Sequence, residues 1–283
     1  MRRRRRGIPL NYSPRRMRSR SGGKGRLLIG VVIAAFALLS YCSSKEFNPV
    51  TGEDQYISIT PKQEIALGVQ STPQMINQYG GLYPDKELQD YVDSVGNKLL
   101  LNKQIQESPW DFEFHLLADP NTINAFALPG GQVFITAALY SKLKTEGQLA
   151  GVLGHEVGHV LARHSAQRIA KSQLTEGLTG AVFAASGSAG TSQMAAMVGQ
   201  IVNMKYGRED ELQSDEIGVL LMSEAGYDPH SMKGVMEILA ESSKGNKQPE
   251  FFSTHPNPDN RIQKILDVIN KIFPNGVPGD LKP

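Results

Sequence analysis

The stretch Leu149-Ala150-Gly151-Val152-Leu153-Gly154-His155-Glu156-Val157-Gly158-His159-Val160-Leu161-Ala162-Arg163-His164 decides the reading of this chain. It contains H-E-x-x-H, the helical pattern that sets two imidazoles around one zinc ion with a carboxylate beside them. Residues four apart on a helix lie about 40° apart in projection, so His155 and His159 point the same way. Two ring nitrogens then reach one metal at roughly 2.0–2.1 Å. Glu156 lies next to that face, where it can act as a base without being a ligand. No charged residue stands between Gly147 and Glu156, nor between Glu156 and Arg163. Polar side chains on so apolar a helix are costly to bury without a partner, which counts against a surface helix with two solvated histidines. The helix is expected from about Gly147 to Lys171.

A catalytic zinc needs a third protein ligand. Extension to a third histidine, H-E-x-x-H-x-x-G-x-x-H, fails: His164 is one residue short and Ala162 replaces the glycine. His164 lies about 140° round the helix from His159, so it is expected to pack or hydrogen-bond locally. A carboxylate must serve instead. Glu209, Asp210, Glu211, Asp215 and Glu216 cluster at the start of an apolar-periodic helix, Leu212 to Ala225. Glu211 and Asp215 share a face. One can ligate, and the other can accept the second ring N–H of a ligating histidine and orient it. Spacing alone leaves Glu209, Glu211 and Asp215 open, and a solvated acidic face has the same composition.

With Ser253-Thr254-His255-Pro256 and Arg261 downstream, these motifs resemble the gluzincin peptidase family of the CAAX prenyl proteases and their water-soluble relatives. The similarity spans about residues 50–272 and includes Asn48-Pro49-Val50-Thr51-Gly52 and the 124–131 stretch, which look typical of bacterial envelope and mitochondrial members. The resemblance implies Glu211 as third ligand and Asp215 as the partner behind a ligating histidine. It also implies that His255 sits near the metal; the role expected for it there is to stabilise the oxyanion or to cap the open position when no substrate is bound. A loop histidine without a catalytic role is the plainer alternative. Arg208 and Arg261 are candidate partners for the acidic cluster. One hydrophobic N-terminal run replaces the multi-span body of the prenyl proteases. The chain ends at Pro283 without the helical repeats of the beta-barrel assembly-enhancing proteases, so it resembles the short, single-domain envelope members.

The net charge of +2 conceals a division. The first 26 residues hold eleven basic side chains and no acid, which leaves 19 basic against 28 acidic in the remainder. The basic residues precede an apolar run, Leu27 to Leu39, instead of lining a folded face, which excludes a nucleic-acid reading. Basic segment, apolar core and small residues make an export signal. Leu39-Ser40-Tyr41-Cys42 resembles a bacterial lipoprotein signal, with Tyr41 as its departure. Lipoprotein, uncleaved anchor and secreted form all place the later residues outside the cytoplasm. Cys42 is the only cysteine, so no intrachain disulfide forms.

The organisation expected is a basic disordered tail (1–26), a signal, anchor or lipoprotein signal (27–42), a linker (43–60), a zinc metallopeptidase domain (61–273) and a C-terminal tail (274–283). The fold class is α+β, mostly helical with a small sheet. Thr60-Pro61 starts a helix, Asp85 to Gln106 forms a long one, and alternating Phe112, Phe114 and Leu116 make a strand with His115 on its polar face. His230 reads as a surface residue at a helix start. Asn124-Ala125-Phe126-Ala127, Pro129-Gly130-Gly131 and Gln132–Thr136 form a hairpin. A substrate strand could pair along Asn124, Ala125, Phe126 and Ala127; an ordinary hairpin is the alternative. The uncharged segment Gly177–Met204 is too interrupted to span a bilayer and fits small-residue helices or a flap better.

The reading is a zinc metalloendopeptidase of the envelope, with one zinc per chain and the membrane as partner through an anchor or lipid. Its expected substrates, unfolded or misassembled polypeptides, come from the resemblance. A zinc-bearing chaperone or binding module is the alternative from another class; the intact Glu156 counts against it, because a binder needs no base. A structural zinc site would be closed by four ligands and usually cysteine-rich.

Overall fold

A computed structural model describes residues 22–186, 205–244, 248–257 and 260–283. Most of the basic tail, residues 187–204 of the expected flap, and Pro258 with Asp259 fall outside the described residues.

Helix α1 (Gly22–Ser43) leads into a hairpin of β1 (Lys45–Asn48) and β2 (Glu53–Tyr56). The stretch read as a linker is therefore folded, and its Asn-Pro-Val-Thr-Gly turn closes it. Helix α2 (Pro61–Gln78) starts as expected, with Thr60 and Gln63 forming a reciprocal capping box. The long helix expected to Gln106 divides into α3 (Lys86–Leu99), capped by Asp85, and a short α4 (Lys103–Gln106). Val92, Val95 and Leu99 of its stripe are buried, while Tyr91 reaches the surface.

Strands β3 (Glu113–Leu117), β4 (Ala125–Ala127) and β5 (Gln132–Thr136) form one sheet in the order β3-β5-β4. β3 runs parallel to β5, and β4 antiparallel to it. The β4–β5 hairpin turns at Gly130 and Gly131, both with positive φ. A Cβ on Gly130 would lie 2.4 Å from Ile65 Cα, so only glycine lets the turn approach α2. A short α5 (Ala137–Tyr140) follows.

Helix α6 (Glu146–Leu161) carries the motif, and Gly147 and every residue from Leu149 to Leu161 are buried. Leu149, Leu153, Val157 and Leu161 anchor it in the main core with Val92, Val95 and Ile135. Each such side chain contributes about 1.5–3 kcal/mol. The helix stops ten residues before the expected Lys171. Arg163 adopts φ +55, and α7 (His164–Ser186) starts afresh. Tertiary bonds explain the break. Asn48 and Gln55 donate side-chain hydrogen bonds to the Leu161 and Ala162 carbonyls, each 2.9 Å. Arg163 is drawn away to Glu64, Glu46 and the Ile59 carbonyl.

Helices α8 (Arg208–Glu224), α9 (His230–Ser242), α10 (Phe251–Thr254) and α11 (Arg261–Ile272) complete the described fold. α8 crosses α6 almost backbone to backbone. A Cβ on Gly158 would lie 2.8 Å from the Ser214 carbonyl oxygen, and one on Gly218 would lie 3.0 Å from His155 N. The residues expected as a C-terminal tail fold back: Lys282 N donates to the Gly226 carbonyl, and its ammonium reaches Glu146 at the start of α6.

Candidate metal centre

The α6–α8 crossing brings His155, His159 and Glu211 together, with His255 entering from the loop after α10. Each offers one ligand atom, and these atoms lie within 4.8 Å of one another. His155 Nε2 and His159 Nε2 are 3.1 Å apart. Glu211 oxygens lie 3.5 Å from each. A tetrahedral ion bonded at about 2.0–2.2 Å holds its donors roughly 3.3–3.6 Å apart, so the three fit a zinc ion. His255 Nδ1 is a fourth donor, 3.5 Å from His155 Nε2 and 3.2 Å from Glu211 Oε1.

The partners behind the donors fix which nitrogen is free. Asp215 Oδ1 accepts from His155 Nδ1 at 2.8 Å. Arg261 grips the same carboxylate with Nε at 2.7 Å and Nη2 at 2.8 Å, and its Nη1 lies 3.1 Å from Glu211. His164 does the corresponding task for His159. Its Nε2 donates to Gln213 Oε1 at 2.9 Å, so its Nδ1 accepts from His159 Nδ1, also at 2.9 Å. Both ligand histidines therefore turn an Nε2 lone pair toward Glu211.

The charges also suit a dication. Glu156, Glu211 and Asp215 are buried with Arg261; ionised, they exceed it by two negative charges. Burial works against ionisation of Glu211, but His255 and His155 hold its carboxyl well below the usual range. Burial likewise opposes Asp215, and Arg261 overcomes it. His155 is pushed up to about 9, because hydrogen bonds to Asp215 and Glu211 outweigh its burial. This pull toward positive charge is what a metal would answer. Glu156 is wholly buried, neither oxygen has a hydrogen-bond partner, and burial pushes its carboxyl up. His255 Nε2 lies 3.7 Å from it.

Of the carboxylates left open by spacing, Glu209 is exposed, Glu211 reaches the donor cluster, and Asp215 stands behind His155. Arg261 is central, whereas Arg208 is exposed at the start of α8. The expected substrate edge is β4, at the border of its sheet and beside α6. Asn124, Ala125, Phe126 and Ala127 are all buried, and Asn124 donates to Tyr79 and Glu250. His115 is half-buried, bonded to Gln132 and stacked on Phe134. His230 is half exposed at the start of α9.

Sequence reasoning gave no site role to His164 or Tyr206. The Tyr206 ring stacks on His159 with centroids 3.8 Å apart, and Arg168 covers its other face. No spacing signal exists for Tyr206, which joins the site through a backbone bond to Thr254.

Residues 86–269 match the peptidase family M48. The chain is 31% identical over 261 residues to the beta-barrel assembly-enhancing protease of Yersinia pestis, covering 88% of this chain and 52% of that protein. It is 31% identical over 248 residues to the mitochondrial metalloendopeptidase OMA1 of Schizosaccharomyces pombe, covering 84% and 70%. The beta-barrel assembly-enhancing protease of Escherichia coli K12 is 29% identical over 262 residues, covering 88% and 51%. The chain thus spans about half the length of the assembly-enhancing proteases that it matches.

Proposed function

The chain belongs to peptidase family M48, and from that premise we propose that it is a zinc metalloendopeptidase, extracytoplasmic and membrane-associated, that hydrolyses unfolded or misassembled polypeptides. The observation that carries the reading is the wholly buried Glu156 carboxylate, without a hydrogen-bond partner, beside three donors 3.1–3.5 Å apart. A binding module would not need to sustain that carboxylate.

His155, His159 and Glu211 would hold the metal. Bound zinc lowers the pKa of water toward 7 and polarises a scissile carbonyl. Glu156 takes the proton from the attacking water and passes it to the leaving amine; its raised pKa suits both tasks. Asp215 and His164 keep the two imidazoles in the ligating tautomer. His255 caps the centre until substrate enters, a role supported by its position as fourth donor and its complete burial. Entry of a peptide then requires His255 to withdraw from the metal position, and the peptide pairs along β4 at Asn124, Ala125, Phe126 and Ala127.

α1 is long and apolar enough to cross a membrane, and it acts as an anchor or export signal with the catalytic domain on the outer side. The name of one group of relatives, beta-barrel assembly-enhancing protease, supports substrates among proteins assembling in an envelope. The test is paired: zinc content and cleavage of an unfolded protein, for the full chain and for Glu156→Gln. One zinc in both and cleavage by the parent alone supports the reading. Zinc in both and cleavage by neither turns attention to the chaperone alternative and to a His255 variant. Absence of zinc from both overturns the proposal.

A further inference from the structure

We infer that α7 enters the same bilayer as α1, so that residues Gly177–Ser186 are a second membrane-embedded element of this protein. The inference rests on the reading of α1 as an anchor and adds a lipid contact that anchoring alone does not require.

The two helices lie side by side and antiparallel. Tyr41 lines a cleft together with Gln167 and Arg168 from the first turns of α7. Further back on α1, a Cβ on Gly177 would lie 2.7 Å from Ala37 Cβ. The facing stripes are rich in small residues: Gly30, Ala34 and Ala37 are among the more covered positions of α1, and Ala170, Gly177 and Ala181 among those of α7. Small residues let helices associate closely in lipid, where apolar bulk gives no driving force between them.

The remaining faces point to the occupant. Leu28, Val32, Phe36 and Leu39 of α1 are 65%, 59%, 73% and 70% exposed. A run of exposed apolar side chains like this marks a protein or membrane contact. The charges of α7 stop at the same level. Lys171 and Glu176 are exposed, and no charged residue follows from Gly177 to Ser186. At 1.5 Å per residue, Thr179 sits about 6 Å deeper than the level of Leu39, the end of the apolar run. Tyr41 stacks on Tyr56 with centroids 4.6 Å apart at the domain end of α1, where an interfacial aromatic pair is expected.

A functional consequence follows from chain geometry. His164, which orients His159, is the first residue of the helix that enters the membrane. About 20 Å of helix separates it from Gly177, so the metal centre stays close to the bilayer surface. Peptide bonds near that surface are the ones within reach.

The test uses the full chain with Cys42→Ser, reconstituted in phosphatidylethanolamine–phosphatidylglycerol vesicles. Nitroxide labels are placed one at a time at Phe36→Cys, Gln173→Cys and Thr179→Cys, and relaxation by oxygen is compared with relaxation by an aqueous nickel chelate. Oxygen should dominate at Phe36 and Thr179, and the chelate at Gln173, each by several-fold. Lipid exposure at Phe36 with aqueous exposure at Thr179 overturns the inference and leaves the anchor standing. Aqueous exposure at both overturns both. A disulfide between Ala37→Cys and Gly177→Cys, formed in the vesicles, supports the pairing without relying on a label; its failure to form under oxidation counts against the pairing.

Discussion

Two buried polar clusters sit within one turn of each other at the end of α6, and they are satisfied to different degrees. Around Arg163, the guanidinium donates to Glu64 at 2.6 and 2.9 Å, to Glu46 at 2.7 Å and to the Ile59 carbonyl at 3.2 Å. None of that cluster's buried side-chain atoms lacks a partner. Around His159, both Glu156 oxygens and His255 Nε2 are buried without hydrogen bonds. A structural cluster closes on itself, because each unmet buried group costs about 1–3 kcal/mol. A site retains that cost because the missing partner is a metal, water or substrate.

The contrast yields a double dissociation. Glu156→Gln should lower cleavage by about 10²–10⁴-fold with zinc content and the urea midpoint unchanged. A lowered midpoint would show Glu156 to be structural. Arg163→Ala should lower stability by about 3–5 kcal/mol, since it leaves Glu64 buried beside a lost ion pair. Urea denaturation reads this, and the fraction still folded should keep its zinc. Loss of zinc from folded protein would merge the two clusters into one functional unit.

Finer comparisons divide the site itself. Asp215→Ala and His164→Ala each remove the partner that orients one ligand histidine, and each should weaken zinc binding by about 10–100-fold. Competition with a zinc indicator measures it. Equal effects would mean that a neutral histidine supports its ligand as well as a carboxylate does; no effect at His164 would return it to local packing.

The smallest effect is expected at the other end of α6. Burial opposes ionisation of Glu146, but hydrogen bonds from Lys282, Tyr227 and Lys98 bring its pKa down to about 2. A depressed carboxylate pKa gives stability that is present above the unfolded value near 4.5 and lost as pH falls through about 2. Glu146→Gln should therefore flatten the fall in stability between those pH values. Thermal melts across that range would show it. A parallel shift at all pH values would mean that the group contributes by packing instead.

Much of the site was readable because its chemistry is periodic. His155 and His159 share a face through a four-residue spacing, and Glu211 and Asp215 do so on α8. Choosing Glu211 over Glu209 and Asp215 needed the family resemblance, since three nearby carboxylates look alike without a partner helix. The β4–β5 hairpin and the Thr60 cap were legible because turn and cap residues act locally. The end of α6 was not legible: local propensity allows helix through Lys171, and the stop comes from Asn48 and Gln55, more than a hundred residues earlier.

By itself, then, the sequence determined the metal-binding face, the glutamate beside it, the α+β class and the apolar N-terminal helix, since each is written in spacings of a few residues. Only the tertiary structure decided which carboxylate faces the histidines, that Arg163 ends the helix, that His164 and Tyr206 join the site, and that α7 lies along α1. Those outcomes depend on close helix crossings and on hydrogen bonds between distant segments, where the energy of burying a polar group is settled by partners that local sequence does not specify.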